Sequence, residues 1–111
     1  MQKHEAIKEL ILSRPELVGI KKENVLEVYT EYPLLRRKRP VAQPDVVIVH
    51  NSDGCVRKRF VEVKSSDNRQ AIIDLHSQMK KVSKYLRYKK IRGDVVGVYC
   101  KGSISNIALV Y

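Results

Sequence analysis

The sequence predicts an α/β fold in which a mixed central sheet is flanked by helices. Segments rich in β-branched residues lie on both sides of one long amphipathic helical pattern, and a second, shorter helical pattern opens the chain. Hydrophobic residues make up 43% of the 111 positions, which is enough for a single core. We therefore expect one domain spanning residues 1–111.

The first third of the chain predicts a helix, a strand and a connection. Apolar residues recur at helical spacing over residues 3–13, and Pro15 discourages continuation of that helix. Dense β-branched and aromatic residues predict the first strand over 24–32. Residues 33–44 hold a basic cluster between prolines, which are excluded from sheet interiors, so an exposed connection is expected there.

A β-hairpin is predicted next. Residues 45–50 carry four consecutive β-branched residues, as in a strand buried on both faces, and residues 51–54 supply a turn. The return strand is expected over 55–64. Because side chains alternate along a strand, Glu62 and Lys64 project to the same face.

The second half of the chain predicts one helix and two strands. An apolar stripe at steps of three and four predicts a long helix over 67–90, which Gly93 can end. Strands are predicted over 95–100 and 104–111, with a turn between them. The expected order of elements is αβββαββ.

The charge balance points to a polyanionic partner. Lys and Arg number 22 against 12 Asp and Glu, which gives a net charge of +10. No apolar run is long enough to span a bilayer and the chain begins with polar residues, so we expect an intracellular, cytoplasmic protein with no membrane partner. The two cysteines lack zinc-site spacing and are expected to be reduced.

Two segments, residues 36–39 and 75–93, hold 11 of the 22 basic residues, and the second contains no acid. Such clusters suit phosphate backbones, and we predict nucleic-acid binding through them. The alternative is a solvated helix face whose positive end complements the helix dipole. The predicted contacts are Arg36, Arg37, Lys38, Arg39, Lys80, Lys81, Lys84 and Arg87.

Three charged side chains form the candidate chemical site. Asp45 begins one arm of the predicted hairpin, and Glu62 and Lys64 lie near the end of the other, so antiparallel pairing brings them to one end of the sheet. Two neighbouring carboxylates repel when ionised, and a hard divalent cation relieves that repulsion. Lys64 can then orient a water or neutralise charge that develops on phosphate.

The pairs Pro44–Asp45 and Glu62–Val63–Lys64 resemble the signature of the PD-(D/E)XK nuclease superfamily. The resemblance implies an αβββαβ restriction-endonuclease-like core. It also implies that Asp45 and Glu62 bind Mg²⁺ or Mn²⁺, that the backbone carbonyl of Val63 completes the metal shell, and that Lys64 is the catalytic lysine. The alternative is chance, with a turn-starting Asp and solvated strand residues.

Two branches of the superfamily, the RecB-like and the archaeal junction-resolving nucleases, suggest further members of the site. A glutamate on the first helix can join the metal ligands, and Glu5 or Glu9 would match; we favour Glu5. Gln78 would match the glutamine on the helix after the lysine, and Tyr85, on the same helical face, would contact substrate. The alternatives are a polar helix residue for Gln78 and ordinary packing for Tyr85.

The resulting expectation is a magnesium-dependent DNA endonuclease that hydrolyses phosphodiester bonds, with branched DNA among its substrates. By analogy with junction-resolving enzymes it is expected to be a homodimer. The main alternative is a non-catalytic nucleic-acid-binding or assembly subunit that keeps a nuclease-like fold. An RNA-cleaving relative is the second alternative.

Overall fold

The computed structural model describes residues 2–111 and has the α/β class predicted from the sequence. A mixed five-stranded sheet carries one helix on each face, and a two-stranded hairpin lies beside it. The helices are α1 (Lys3–Ser13) and α2 (Arg69–Lys89), with short 3-10 turns at Pro15–Val18 and Lys22–Asn24. The strands are β1 (Val25–Thr30), β2 (Leu34–Arg36), β3 (Arg39–Ala42), β4 (Val46–Ser52), β5 (Cys55–Lys64), β6 (Gly93–Cys100) and β7 (Ile107–Val110).

The order of strands in the large sheet is β1-β4-β5-β6-β7. The β4–β5 hairpin is antiparallel, as predicted, and it turns at Asp53 and Gly54, both of which have positive φ. Strands β5 and β6 are parallel, and α2 is the crossover that connects them. Because β4 and β5 lie in the interior of the five-stranded sheet, most of β4 and the second half of β5 are buried.

Side-chain alternation along β5 divides the core into two layers. Val61 and Val63 pack in the layer that contains Ile7 and Ile11 of α1, whereas Phe60 packs in the layer beneath α2. Glu62 therefore lies on the α2 side of the sheet, on the face predicted from the period of two. Among residues 2–111, no helix is both long and apolar enough to cross a membrane.

Residues 33–44, predicted to be an exposed connection, contain regular structure of their own. They form the β2–β3 hairpin, in which Pro40 pairs with Leu35. The prolines exclude this segment from the central sheet, but a separate two-stranded hairpin has two free edges and tolerates them. Its two-residue turn consists of Arg37 and Lys38, with φ of 53° and 65°.

The ends of α2 also differ from the prediction. The helix begins after Asn68, whose side chain caps it by accepting the N–H of Ala71 at 2.8 Å. It ends at Lys89, and Lys90 caps it in the left-handed conformation with φ of 55°, before the predicted stop at Gly93. Gly93 instead begins β6, where an added Cβ would lie 2.8 Å from the carbonyl oxygen of Lys58.

Candidate active site

Asp45 lies immediately before β4, where the ladder between β4 and β5 ends. Val46 and Val61 are the last paired residues at this end. Beyond them, Oδ2 of Asp45 accepts the backbone N–H of Val63 at 2.7 Å. The side chain thus takes the place of a ladder acceptor, and it fixes the carboxylate beside the strand that carries Glu62 and Lys64.

Glu62 is a buried acid, with only 4% of its surface exposed. The pKa of Glu62 is raised to about 8, chiefly because burial disfavours the charged form; the charge of Asp45 also acts to raise it, and the charge of Lys64 acts to lower it. Glu62 and Asp45 are therefore close enough to repel each other. A cation between two such carboxylates would stabilise the ionised form of Glu62.

Gln78 of α2 bridges Glu62 and Lys64. In the amide orientation that satisfies both neighbours, its nitrogen donates to Oε2 of Glu62 at 3.1 Å and its oxygen accepts from Nζ of Lys64 at 3.3 Å. The hydrogen-bonding capacity of the amide thus matches an acceptor on one side and a donor on the other. The structure brings Gln78 to the pair with which the sequence associated it.

A cleft of about 240 Å³ opens beside Glu62 and Gln78; neither Asp45 nor Lys64 is among the residues that line it. Glu62 and Gln78 form part of its wall, Lys81 extends it along α2, and residues 41–43 at the end of the β2–β3 hairpin close the other side. The buried carboxylate therefore faces a solvent-accessible recess that also contains a positive charge.

Helix α1 contributes His4, which is not among the residues that the sequence analysis singled out. Its Nε2 lies 3.3 Å from Oδ1 of Asp45, and its Nδ1 lies 3.7 Å from Oε1 of Glu5. Glu5, the predicted first-helix acid, thus reaches Asp45 through the imidazole ring. Direct metal binding by Glu5 stays a prediction, and Glu9 lies exposed on the same helix.

Lys8 is a second residue of α1 that the sequence did not single out. It is buried, and its Nζ lies 3.0 Å from Oε1 of Glu31 and 3.5 Å from Oε1 of Glu5. Burial acts to lower the pKa of Lys8, but the hydrogen bond to Glu31 and the charges of Glu31, Glu5 and Asp45 outweigh it, so the pKa is raised. Lys8 therefore stays cationic beside Glu5 and Glu31. In the sequence, its position four residues after His4 was the one indication that the two side chains share a face of α1.

The predicted nucleic-acid contacts separate into groups. Arg36, Lys81, Lys84 and Tyr85 converge, together with Val41 and Tyr88, around a cavity of about 350 Å³ between the β2–β3 hairpin and α2. Arg37, Lys38 and Arg39 lie at the exposed tip of that hairpin. Lys80 and Arg87 line two other recesses, at different positions around α2.

Tyr88 is the aromatic residue of this surface that the sequence analysis missed. The guanidinium carbon of Arg36 lies 4.4 Å from the centre of its ring, and Nζ of Lys89 lies 5.8 Å from the same centre. The spacing along the helix could have identified Tyr88, because positions 78, 81, 85 and 88 recur at steps of three and four and so share one face of α2.

The donors available for a metal ion are the carboxylates of Asp45 and Glu62 and the backbone oxygens beside them. Within residues 2–111, no three His, Cys, Asp or Glu side chains gather as a ligand group. These donors are too few for a cation that takes all of its ligands from protein side chains. Mg²⁺ and Mn²⁺ do fit, because Mg²⁺ keeps waters and substrate oxygens in its shell, and Mn²⁺ accepts the same hard ligands.

No protein-family model matches the sequence, and no curated protein matches it significantly.

Proposed function

We propose that this chain is a metal-dependent DNA endonuclease of the PD-(D/E)XK type, with a restriction-endonuclease-like core. The proposal rests on the resemblance of residues 44–45 and 62–64 to the superfamily signature and on the arrangement of those residues in space. Asp45 precedes β4, Glu62 and Lys64 belong to β5, and Gln78 belongs to α2; each has a polar or charged partner within the group or on β5 beside it.

The observation that carries the proposal is the position of Gln78 between Glu62 and Lys64, at 3.1 and 3.3 Å. If the motif occurred by chance, Glu62 and Lys64 would be ordinary solvated strand residues. No polar side chain would then be expected to lie between them. Burial of Glu62 supports the same conclusion, because a charged group is rarely buried without a functional or structural partner.

A divalent ion held by Asp45 and Glu62 would polarise the phosphate and lower the pKa of a coordinated water. In an extended strand the N–H and C=O of one residue point to the same side, and the N–H of Val63 points to Asp45, so its carbonyl is the third donor we assign.

Lys64 and Gln78 act on the substrate side of this proposal. The ammonium group of Lys64 orients the attacking water and neutralises the charge that grows on the phosphate. Gln78 holds Lys64 and Glu62 at a fixed separation, so both stay in place as substrate enters. During hydrolysis a new P–O bond forms to the water oxygen, and one P–O ester bond breaks.

The basic residues around the 350 Å³ cavity and on the β2–β3 hairpin would hold the DNA backbone. We extend the proposal to a homodimer, by analogy with the junction-resolving enzymes that the sequence resembles. Exposed apolar side chains on edge strand β1 support it, since Leu26 and Val28 are 49% and 40% exposed. A molar mass that stays at one chain at all concentrations would refute the dimer.

The experiment that tests the proposal is a cleavage panel of linear, flapped and four-way DNA, with Mg²⁺, with Mn²⁺ and with EDTA. We expect metal-dependent cuts that Asp45→Asn abolishes. RNA versions of the linear substrates separate a ribonuclease from a deoxyribonuclease. If no nucleic acid is cut but DNA is still bound, the chain is the non-catalytic binding subunit, and the catalytic proposal fails.

A further inference from the structure

Two basic segments that are remote in sequence meet at one cavity, and an aromatic ring lies between them. Arg36 comes from β2, whereas Lys81, Lys84, Tyr85 and Tyr88 come from successive turns of α2. The cavity measures about 350 Å³, within the roughly 300–1,000 Å³ typical of ligand sites. None of the residues that line it is acidic.

The lining of this cavity suits a flat, uncharged ring that is joined to phosphate. Tyr88 is 55% exposed, and the guanidinium group of Arg36 lies over its face at 4.4 Å, so planar groups are already presented to solvent. Planar aromatic and guanidinium surfaces are those on which nucleobases stack. Lys81 and Lys84 supply the positive charges that a neighbouring phosphate requires.

An unpaired base matches this chemistry better than a base pair. Bases inside a duplex have both faces covered by their neighbours, so a protein reaches their edges or the backbone. A base in a single strand, flap or branch exposes its face and can stack on a side chain. A cavity lined with exposed aromatic and basic groups therefore selects the unpaired nucleotide.

The cavity adjoins the cleft of the candidate active site. Val41 and Lys81 line both, so the recess that holds Tyr88 and the recess that holds Glu62 and Gln78 share a wall. A strand with one base in the first recess would run its backbone past Lys81 toward the second.

We propose that the cavity between β2 and α2 is a binding site for an unpaired nucleotide, in which the base stacks on Tyr88 and Arg36 and the adjoining phosphate lies on Lys81 and Lys84. This inference rests on the proposed function in one respect, since it names the class of DNA that the nuclease would prefer. Binding of the base itself requires neither a metal ion nor cleavage.

The test is a binding measurement in EDTA. Fluorescence anisotropy compares a short single-stranded oligonucleotide with an abasic deoxyribose-phosphate strand of the same length and charge. We expect the strand with bases to bind about tenfold more tightly, given the usual contribution of base stacking. Tyr88→Leu should remove that difference, while Tyr88→Phe, which keeps the ring, should preserve it.

Two matched variants test whether the preference for bases comes from stacking in the cavity. One separates stacking from charge, and the other controls for the loss of an exposed aromatic side chain elsewhere. Arg36→Lys keeps the charge but loses the planar group, so it should reduce the preference for bases and leave binding of the abasic strand unchanged. Tyr111→Leu removes an aromatic side chain that is 78% exposed and lies outside the cavity, and it should change neither affinity. Circular dichroism checks that each variant is folded.

Equal affinity of the unmodified protein for the two strands would overturn the proposal, as would a Tyr88→Leu variant that loses affinity for both equally. Because these measurements contain no metal, they stand apart from the cleavage panel. A chain that prefers bases but cuts nothing would refute the nuclease and retain the nucleotide site.

Discussion

Oδ2 of Asp45 accepts the backbone N–H of Val63 at 2.7 Å, so an acid before one strand is fixed to the residue between Glu62 and Lys64 on the next. The hydrogen bond is part of the fold and of the candidate site together. It extends the pairing of β4 and β5 beyond Val46 and Val61, and it sets the position of one of the two carboxylates.

Asp45→Asn should abolish cleavage while the protein stays folded. The amide oxygen of asparagine can still accept the N–H of Val63, but it lacks the negative charge that a divalent ion requires. We expect at least a roughly 100-fold loss of cleavage rate, with DNA affinity in EDTA nearly unchanged. Calorimetric titration with Mn²⁺ measures the accompanying loss of metal binding.

Glu23→Gln is the matched control for this charge change. Glu23 is exposed and lies two residues before Val25, which pairs with His50 toward the opposite end of β4 from Asp45. Metal binding should be unaffected in that variant. If Asp45→Asn binds Mn²⁺ as tightly as the unmodified protein, Asp45 is not a metal ligand.

Gln78→Ala should slow cleavage by about 10- to 100-fold, since residues that orient metal ligands typically contribute that much. Gln78 carries no charge, so DNA binding should change little. Its amide donates to Glu62, and because a hydrogen bond to a carboxylate lowers the pKa, its removal should shift the acidic limb of the pH–rate profile to higher pH.

Gln70→Ala provides the comparison on the same helix, because Gln70 lies in the first turn of α2 and donates to Asp74 at 2.9 Å. That variant should keep both rate and pH profile. A Gln78→Ala enzyme with a reduced rate but an unmoved pH profile would show that Gln78 does not act through Glu62.

The stability of the metal-free protein should fall as pH rises. The pKa of Glu62 is about 8 in the folded chain against 4.5 ordinarily, so between these values the folded state binds more protons than the unfolded state. The free energy of unfolding therefore decreases from about pH 5 to about pH 8 and levels off above, by a few kcal/mol in order of magnitude.

Urea unfolding in EDTA at a series of pH values measures this effect. Glu62→Gln removes the titrating group, so its free energy of unfolding should depend less on pH and should exceed that of the unmodified protein near pH 8.5. Glu23→Gln should follow the unmodified protein. Parallel curves for the unmodified protein and Glu62→Gln would contradict the raised pKa.

In the turn between β2 and β3, the basic residues Arg37 and Lys38 should strengthen DNA binding but lower the stability of the fold. Arg37 and Lys38 both have positive φ, which costs an L residue about 1–2 kcal/mol and which Asn-Gly adopts readily. The double variant Arg37→Asn, Lys38→Gly should therefore raise the free energy of unfolding by at least about 1 kcal/mol. It should also weaken DNA binding and reduce the salt dependence by about two phosphate contacts.

Thermal unfolding and salt-dependent anisotropy measure the two effects. The pair Lys21→Gln, Lys22→Gln removes the same charge from the 3-10 turn that precedes β1, and it should leave the salt dependence unchanged. A turn variant that gains stability but keeps full DNA affinity would show that these two side chains do not contact the backbone.

Much of this fold follows from local patterns in the sequence. The period of two placed Glu62 and Lys64 on one face of β5, and antiparallel pairing placed Asp45 at their end of the sheet, since both depend on strand geometry alone. The stripe on α2 likewise brought Gln78 to the sheet. Proline chemistry excluded residues 33–44 from the central sheet, but it could not predict that they pair with each other.

The parts that the sequence did not predict depend on contacts between distant segments. His4 and Lys8 become important only because α1 lies against the end of β4, and Tyr88 only because Arg36 of the hairpin folds over its ring. The helical spacing of Lys8 and Tyr88 places each on a face with other site residues, but it does not identify the partners that distant segments bring to them.

Helix α2 carries Gln78 at the candidate catalytic cleft and Tyr88 at the nucleotide cavity, about 15 Å apart along one rigid axis. Under the two proposals, this helix fixes the distance between the stacked base and the scissile phosphate. Cut sites would then lie at a constant offset from the point where a duplex opens, and would move with that junction when the surrounding sequence is changed.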